Sequence, residues 1–364
     1  MKKVDVAILG ATGTTAFAWV AQQMAEKISD GHPYFNLAAL IADDPQHVGK
    51  PFSECMEWYG HYTRDLPTAL AKMTMVAGNP DALGKAGDVK LVISALPPWS
   101  APDFDPKFAE AGIPVVSESP AFRFEPDVPL VVPEINADHL SILEDQKKKR
   151  GWKGYIVSNP VCTVTIIALS MKPIIDAFGM QSCFQVTLQA MSGAGPKGLA
   201  AMDMVENMIP FIGKEEEKLE NEGPKILGTI KDGEVVSNPM PLSTSCNRIP
   251  VLYGHTICIF AETEKPVTVD EAKKVFADFR GPAQELKLPS APERPIYVLE
   301  QEDRPQPRID RSKGKGMSVC VGRVRKDPAF KNGIKWVVMG DNFVRGTAGN
   351  TILNAELLYA KGLL

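Results

Sequence analysis

Gly10-Ala11-Thr12-Gly13 closes a short apolar run, Val4–Leu9, and leads directly into a helix-compatible stretch at 17–28. A strand that passes through glycines straight into a helix has few ways to fold, because the helix start must face the strand's carboxyl end. Gly10 permits the sharp turn, Gly13 lets backbone approach a pyrophosphate, and Ala16 is small enough for helix and sheet to pack closely. The unpaired N–H groups of the helix start then meet phosphate. Further strand candidates at 37–42, 89–96 and 113–116 alternate with helical stretches such as 104–111. This predicts an α/β chain whose first part is a doubly wound parallel sheet of the Rossmann type binding a dinucleotide.

In such a unit the end of the second strand lies beside the adenosine ribose, and Asp43 and Asp44 stand there. A carboxylate at that place accepts from a free 2′-hydroxyl and repels a 2′-phosphate, which favours NAD. His47 and Lys50 follow closely and offer cationic groups for a phosphate if Asp43 points away.

After about residue 155 the pattern changes to longer strand candidates at 184–190, 251–260, 316–323 and 333–339 with fewer helices between them. A second, α+β domain on a mixed sheet is expected. A final helix at 347–360, stopped by Gly362, returns to the first domain. The expected division is 1–156 with 343–364 for the dinucleotide domain, and 157–342 for catalysis and dimerisation. The charged run 214–219 and the Pro-rich stretch 286–311 read as solvated faces or loops.

Forty Lys and Arg against 44 Asp and Glu give a net charge of −4, with no basic excess for nucleic acid. No run reaches the roughly 18 apolar residues of a membrane helix, and the first residues do not read as a secretory signal, so a cytoplasmic location is expected. Six cysteines lie without a CxxC pair or a Cys/His cluster, which argues against a bound metal and a disulfide framework.

Two segments carry chemistry. In Ser158-Asn159-Pro160-Val161-Cys162-Thr163 the cysteine opens an apolar helical stretch, where the positive end of the helix favours a thiolate. In Asn247-Arg248-Ile249-Pro250-Val251-Leu252-Tyr253-Gly254-His255-Thr256, Arg248 and His255 are seven apart. An odd separation puts them on opposite faces of one strand, so a shared site requires a bend or bulge near Pro250 or Gly254.

Taken together with Glu118-Ser119-Pro120-Ala121-Phe122-Arg123, Gln189-Ala190-Met191-Ser192-Gly193-Ala194-Gly195, Glu222-Gly223-Pro224-Lys225-Ile226-Leu227, Arg304-Pro305-Gln306-Pro307-Arg308 and Asp341-Asn342-Phe343-Val344-Arg345-Gly346, these segments mark a resemblance. Over essentially its whole length the chain resembles the aspartate-semialdehyde dehydrogenase family in its archaeal and fungal branch. The resemblance implies NADP- or NAD-dependent reduction of 4-phospho-L-aspartate to the semialdehyde with release of phosphate. Cys162 is implied as the nucleophile that becomes a thioester, His255 as the acid/base, and Gln189 as the group orienting the reacting centre. Arg248 is implied to fork onto the α-carboxylate, Glu222 to pair with the α-ammonium, and Arg123 with Lys225 to hold the phosphate. Gly10, Thr12, Gly13, Thr14, Asp43, Ser94, Leu96, Ser192, Gly193 and Asn342 are the implied cofactor contacts. A homodimer or homotetramer is implied as well.

The chain departs from the family pattern twice. Val161 stands where the family usually has Asn, and an apolar residue there also occurs in related malonyl-CoA reductases, so an acyl-CoA substrate is the alternative to the acyl phosphate. Asp43-Asp44 stands where this commonly NADP-dependent family usually presents Ser, Lys or Arg. A non-catalytic dinucleotide-binding sensor or scaffold is the reading of another class; the combination of cysteine, histidine, glutamine and arginine speaks against it.

Overall fold

The computed structural model describes residues 2–12, 16–56, 66–84, 86–195 and 198–364. Its strands are β1 (Val4–Leu9), β2 (Phe35–Ala42), β3 (Met75–Ala77), β4 (Val89–Ser94), β5 (Val115–Ser117), β6 (Ile156–Ser158), β7 (Ser182–Gln189), β8 (Thr229–Lys231), β9 (Glu234–Val236), β10 (Leu242–Arg248), β11 (His255–Glu262), β12 (Ile296–Leu299), β13 (Val319–Lys326) and β14 (Gly333–Gly340). The helices of eight or more residues among the described ones are α1 (Ala16–Ser29), α2 (Ala101–Ala111), α3 (Leu143–Arg150), α4 (Cys162–Phe178), α5 (Glu215–Ile226), α6 (Val269–Asp278) and α7 (Gly349–Ala360).

The first sheet runs β3-β2-β1-β4-β5-β6 with every pairing parallel. Val6, Ala7, Ile8 and Leu9 are all fully buried, as expected of a strand covered on both faces. The strand order reverses at β1, where connections leave toward β2 on one side and β4 on the other, opening a crevice at the carboxyl edge. Gly10 sits in that crevice with φ +88°, and a side chain there would come within 2.7 Å of the Ala95 carbonyl. Only glycine meets both conditions.

The second sheet runs β10-β7-β11-β14-β13-β12 and is mixed, β7 pairing parallel with β10 and antiparallel with β11. The strand expected at 251–260 is β11, which begins later, at His255; a further strand, β10, precedes it and ends at Arg248. Sequence patterning misses β10 because Leu242-Ser243-Thr244-Ser245-Cys246-Asn247-Arg248 is mostly polar, which an edge strand tolerates. The stretch 286–311, expected as loop, contributes the edge strand β12.

Buried α7 residues Ile352, Leu353, Leu357 and Leu358 join the same apolar cluster as β1 and α1. Just before α7, Arg345 is wholly buried and forks onto Glu134, with Nη1 to Oε1 at 2.8 Å and Nη2 to Oε2 at 2.7 Å. Asn350 Oδ1 accepts a further bond from Arg345 Nη2 at 3.0 Å. Among the described residues no helix is long and apolar enough to cross a membrane.

Candidate active site

β6 delivers the chain through Asn159, Pro160 and Val161 to Cys162, the first residue of α4. Three segments brace this delivery. The Val161 N–H donates to Glu222 Oε2 at 2.7 Å, Asn159 Nδ2 donates to Glu118 Oε2 at 3.2 Å, and Asn159 Oδ1 accepts from Asn350 Nδ2 at 2.5 Å. A side chain on Gly346 would stand 2.3 Å from Cys162 Cβ, so the backbone before α7 approaches the cysteine as only glycine allows.

The register of the second sheet supplies the remaining parts. Arg248 ends β10 opposite Gln189, which ends β7, and the neighbouring Leu188 pairs with Thr256, next to His255 at the start of β11. Three strand ends therefore place Arg248, Gln189 and His255 at one edge, with no bulge in a single strand. His255 Nε2 lies 3.3 Å from Cys162 Sγ, while His255 Nδ1 accepts the Ala190 N–H at 3.0 Å. Because Nδ1 is the acceptor, the proton of neutral imidazole belongs on Nε2, facing the sulfur. Burial, reinforced by Arg248, pushes the His255 pKa down to about 3. The neutral ring is therefore a donor toward sulfur, and taking the thiol proton as a base is opposed by the Ala190 N–H. Burial, then Glu215, pushes the Cys162 thiol up to about 12, against the expected lowering by the helix start; Thr163, Arg248 and Arg123 pull the other way.

A cavity of about 280 Å³ opens over the sulfur, with Arg123, Gln189, Glu215, Lys218 and Arg248 in its wall and Ala16, Phe17 and Val20 of α1 on the opposite side. Arg248 Nη1 donates to the Ala190 carbonyl at 2.7 Å. Arg123 pairs with Glu222 at 3.1 Å and donates to the Glu118 carbonyl at 2.7 Å. Glu222 is thereby engaged by Arg123 and Val161, and does not line the cavity. Lys225 is also absent from it. Its ammonium donates to the carbonyls of Arg123, Glu125 and Val128 at 2.8, 2.5 and 2.8 Å, a structural tie where a phosphate contact was expected.

Two turns earlier on α5, Glu215 and Lys218 line the cavity that Glu222 and Lys225 do not reach. Glu215 Oε1 accepts from Gln189 Nε2 and Thr163 Oγ1, both at 3.2 Å, and Oε2 pairs with Lys218 at 3.2 Å. The run 214–219 is thus no simple solvated face. A signal was present: Glu215, Leu219, Glu222 and Ile226 recur at i, i+4, i+7 and i+11, and all four are buried. Glu118, also in the cavity wall, has its carboxyl pushed up to about 7 by burial.

The dinucleotide side can be followed in the same way. Gly10 and Thr12 form the turn after β1, while Gly13 and Thr14 lie outside the described residues. Leu96 packs against Gly10, Ser94 ends β4, and Asp43 is the first residue beyond β2. Ser192 and Gly193 follow β7, and Ser192 Oγ accepts from Asn342 Nδ2 at 3.0 Å. Asn342 Oδ1 in turn accepts the Gly254 N–H at 2.9 Å, ordering the loop before His255. A glycine at the crevice, where no side chain fits, and a carboxylate just beyond β2 fit a dinucleotide.

A Rossmann-type sheet whose last strand leads to a cysteine at a helix start, set against a histidine on a mixed sheet, is the architecture of a nicotinamide-dependent dehydrogenase. The chain belongs to the semialdehyde dehydrogenase family: the family's NAD binding domain matches residues 5–143 and its dimerisation domain matches residues 171–345. It is 44% identical to the aspartate-semialdehyde dehydrogenase of Methanothermobacter thermautotrophicus, covering 98% of this chain and 99% of that one. It is 34% identical to a malonyl CoA reductase (NADP) of Metallosphaera sedula, over 100% of this chain and 99% of that one. The crystal structure of aspartate semialdehyde dehydrogenase with NADP from Candida albicans superposes with a TM-score of 0.88 at 34% identity, over 99% of this chain and 100% of that one.

Proposed function

We propose that the protein is a phosphorylating aspartate-semialdehyde dehydrogenase, reducing 4-phospho-L-aspartate to L-aspartate 4-semialdehyde through a thioester on Cys162. The observation that carries this reading is a cysteine 3.3 Å from a histidine donor, beneath a cavity walled by Arg123, Lys218, Arg248 and Glu215. An amino acid bearing two anionic groups and one ammonium matches that charge pattern.

Cys162 Sγ attacks the acyl carbon: the C–S bond forms, the C–O bond to phosphate breaks, and the thiol proton leaves with the departing phosphate oxygen. The Nε2–H of His255 donates to the sulfur and then to the oxygen that gathers charge, as a neutral imidazole does when it polarises a carbonyl. Gln189, held by Glu215, orients the acyl group. Arg248 takes the α-carboxylate with the part of its guanidinium not tied to Ala190. Glu215 receives the α-ammonium, and Lys218 with Arg123 holds the departing phosphate. A nicotinamide dinucleotide, when bound, would supply the hydride; the C–S bond then breaks, the semialdehyde leaves and the sulfur regains a proton from solvent.

We place residues 1–156 and 343–364 in the dinucleotide domain and the segment between them in the catalytic domain. The second sheet leaves Phe184 and Val186 of β7 on its open face, 48% and 37% exposed. A second copy of the chain covering that face makes a homo-oligomer. A substrate of soluble phosphorylated metabolism fits a cytoplasmic enzyme.

Val161 in the cavity wall favours a second reading, reduction of an acyl-CoA such as malonyl-CoA. Oxidation of aspartate semialdehyde with phosphate, assayed beside oxidation of malonate semialdehyde with coenzyme A, decides between them. Turnover is expected with the first pair; a strong preference for the second would replace the acyl phosphate with a thioester substrate.

A further inference from the structure

We propose that Asp43 is a specificity residue that makes this chain prefer NAD to NADP, in contrast to relatives described with NADP. The proposal rests on the dinucleotide reading of the first sheet and is independent of which acyl group is reduced.

β2 ends at Ala42, and the Gly10 N–H bonds to the Ile41 carbonyl at 3.3 Å, so Asp43 leaves the sheet one strand away from the glycine turn. His47 Nδ1 lies 3.1 Å from Thr12 Oγ1, which ties the segment after Asp43 across to that turn. In a sheet of this winding the adenosine ribose rests between these two places. The residue that meets its 2′-position is therefore the first one beyond β2.

The two aspartates have different employment. Asp44 Oδ1 accepts the Gln46 N–H at 2.9 Å and caps the short turn Pro45–His47, so its charge serves local structure. Asp43 is half-buried and enters no ion pair among the described residues. Its carboxylate takes the backbone N–H groups of Asp43 and Asp44 and is attracted by His47, and it keeps lone pairs to accept from a 2′-hydroxyl. Burial and the neighbouring Asp44 hold the Asp43 pKa above its ordinary value, so a further negative charge is unwelcome there. A 2′-phosphate brings that charge and removes the hydroxyl donor at once. Among the described residues, the basic side chains that follow Asp43 most closely along the chain are His47, whose Nδ1 is engaged with Thr12, and Lys50, which is exposed.

The test is equilibrium binding of NADH and NADPH to the full chain without acyl substrate, followed by nucleotide fluorescence, with competition by ADP and by adenosine 2′,5′-bisphosphate. NADH is expected to bind tighter by at least about tenfold, the size set by one like-charge contact near the surface. ADP should likewise compete better than the bisphosphate. Asp43→Asn and Asp43→Ser should each narrow the ratio, with circular dichroism confirming that they fold, and Asp43→Arg should reverse it. Equal or tighter NADPH binding by the unaltered chain, or an unchanged ratio in both Asn and Ser variants, would overturn the proposal alone. Binding of neither nucleotide would overturn it together with the dinucleotide reading.

Discussion

Around Cys162 the chain is clamped by buried groups drawn from distant parts of the sequence, whereas around Asp43 it is held by a capping bond and one histidine–threonine contact near solvent. At the first place β6, α4, α5 and the segment before α7 must all be folded before sulfur and imidazole meet. At the second a short exposed segment meets the nucleotide edge. The difference teaches where variation is tolerated. The groups that hold Cys162 are built into the core, while the side chains after β2 lie nearer solvent and can change with less disturbance to the sheet.

The sharpest way to break this contrast is to weaken each region in turn. Glu134→Gln removes one charge from a wholly buried pair and should cost about 3–5 kcal/mol in urea unfolding. His47→Ala should cost about 1 kcal/mol or less, since it removes one partly exposed hydrogen bond. Similar losses in the two variants would show that the junction is no more tightly built than the edge.

Within the junction, two lysines of α5 provide a finer separation. Lys218→Ala should raise KM for the phosphorylated substrate by roughly 10-fold to 100-fold with little change in stability, as loss of one charged contact does. Lys225→Met should instead destabilise the fold by roughly 1–3 kcal/mol, because three carbonyls lose their shared donor. Thermal unfolding beside steady-state kinetics checks both, and the reverse pattern would return the phosphate role to Lys225.

The smallest effect concerns the sulfur in the absence of substrate. A thiol pushed up to about 12 is mostly protonated at pH 8, so iodoacetamide labelling of the Cys162 peptide should be slow and climb about tenfold per pH unit through pH 10. A plateau below pH 8.5 would mean that the helix start outweighs burial.

Much of this architecture was legible in the chain because periodicity and turn chemistry are local. The run Val4–Leu9 with its glycines announced a parallel unit, and the apolar stretch after Cys162 announced α4. Long-range pairing was not legible. Arg248 and His255 are separated by a loop and meet only because β7 lies between their strands, a relation that spacing along the sequence does not encode. The charged residues of α5 that line the cavity lie two turns before the expected Glu222 and Lys225 for a related reason. Glu215, Glu222 and Lys225 are buried and Lys218 is partly exposed, and only the packing of α5 decides that Glu215 and Lys218 line the cavity.

The central claim is that Cys162 carries the acyl group. Mixing the protein with aspartate semialdehyde and oxidised dinucleotide while withholding phosphate should leave the thioester without its acceptor. Mass spectrometry of the acid-quenched, digested protein should then show an aspartyl adduct on the Cys162 peptide that phosphate discharges. An unmodified Cys162 peptide alongside stoichiometric formation of reduced dinucleotide would contradict the account.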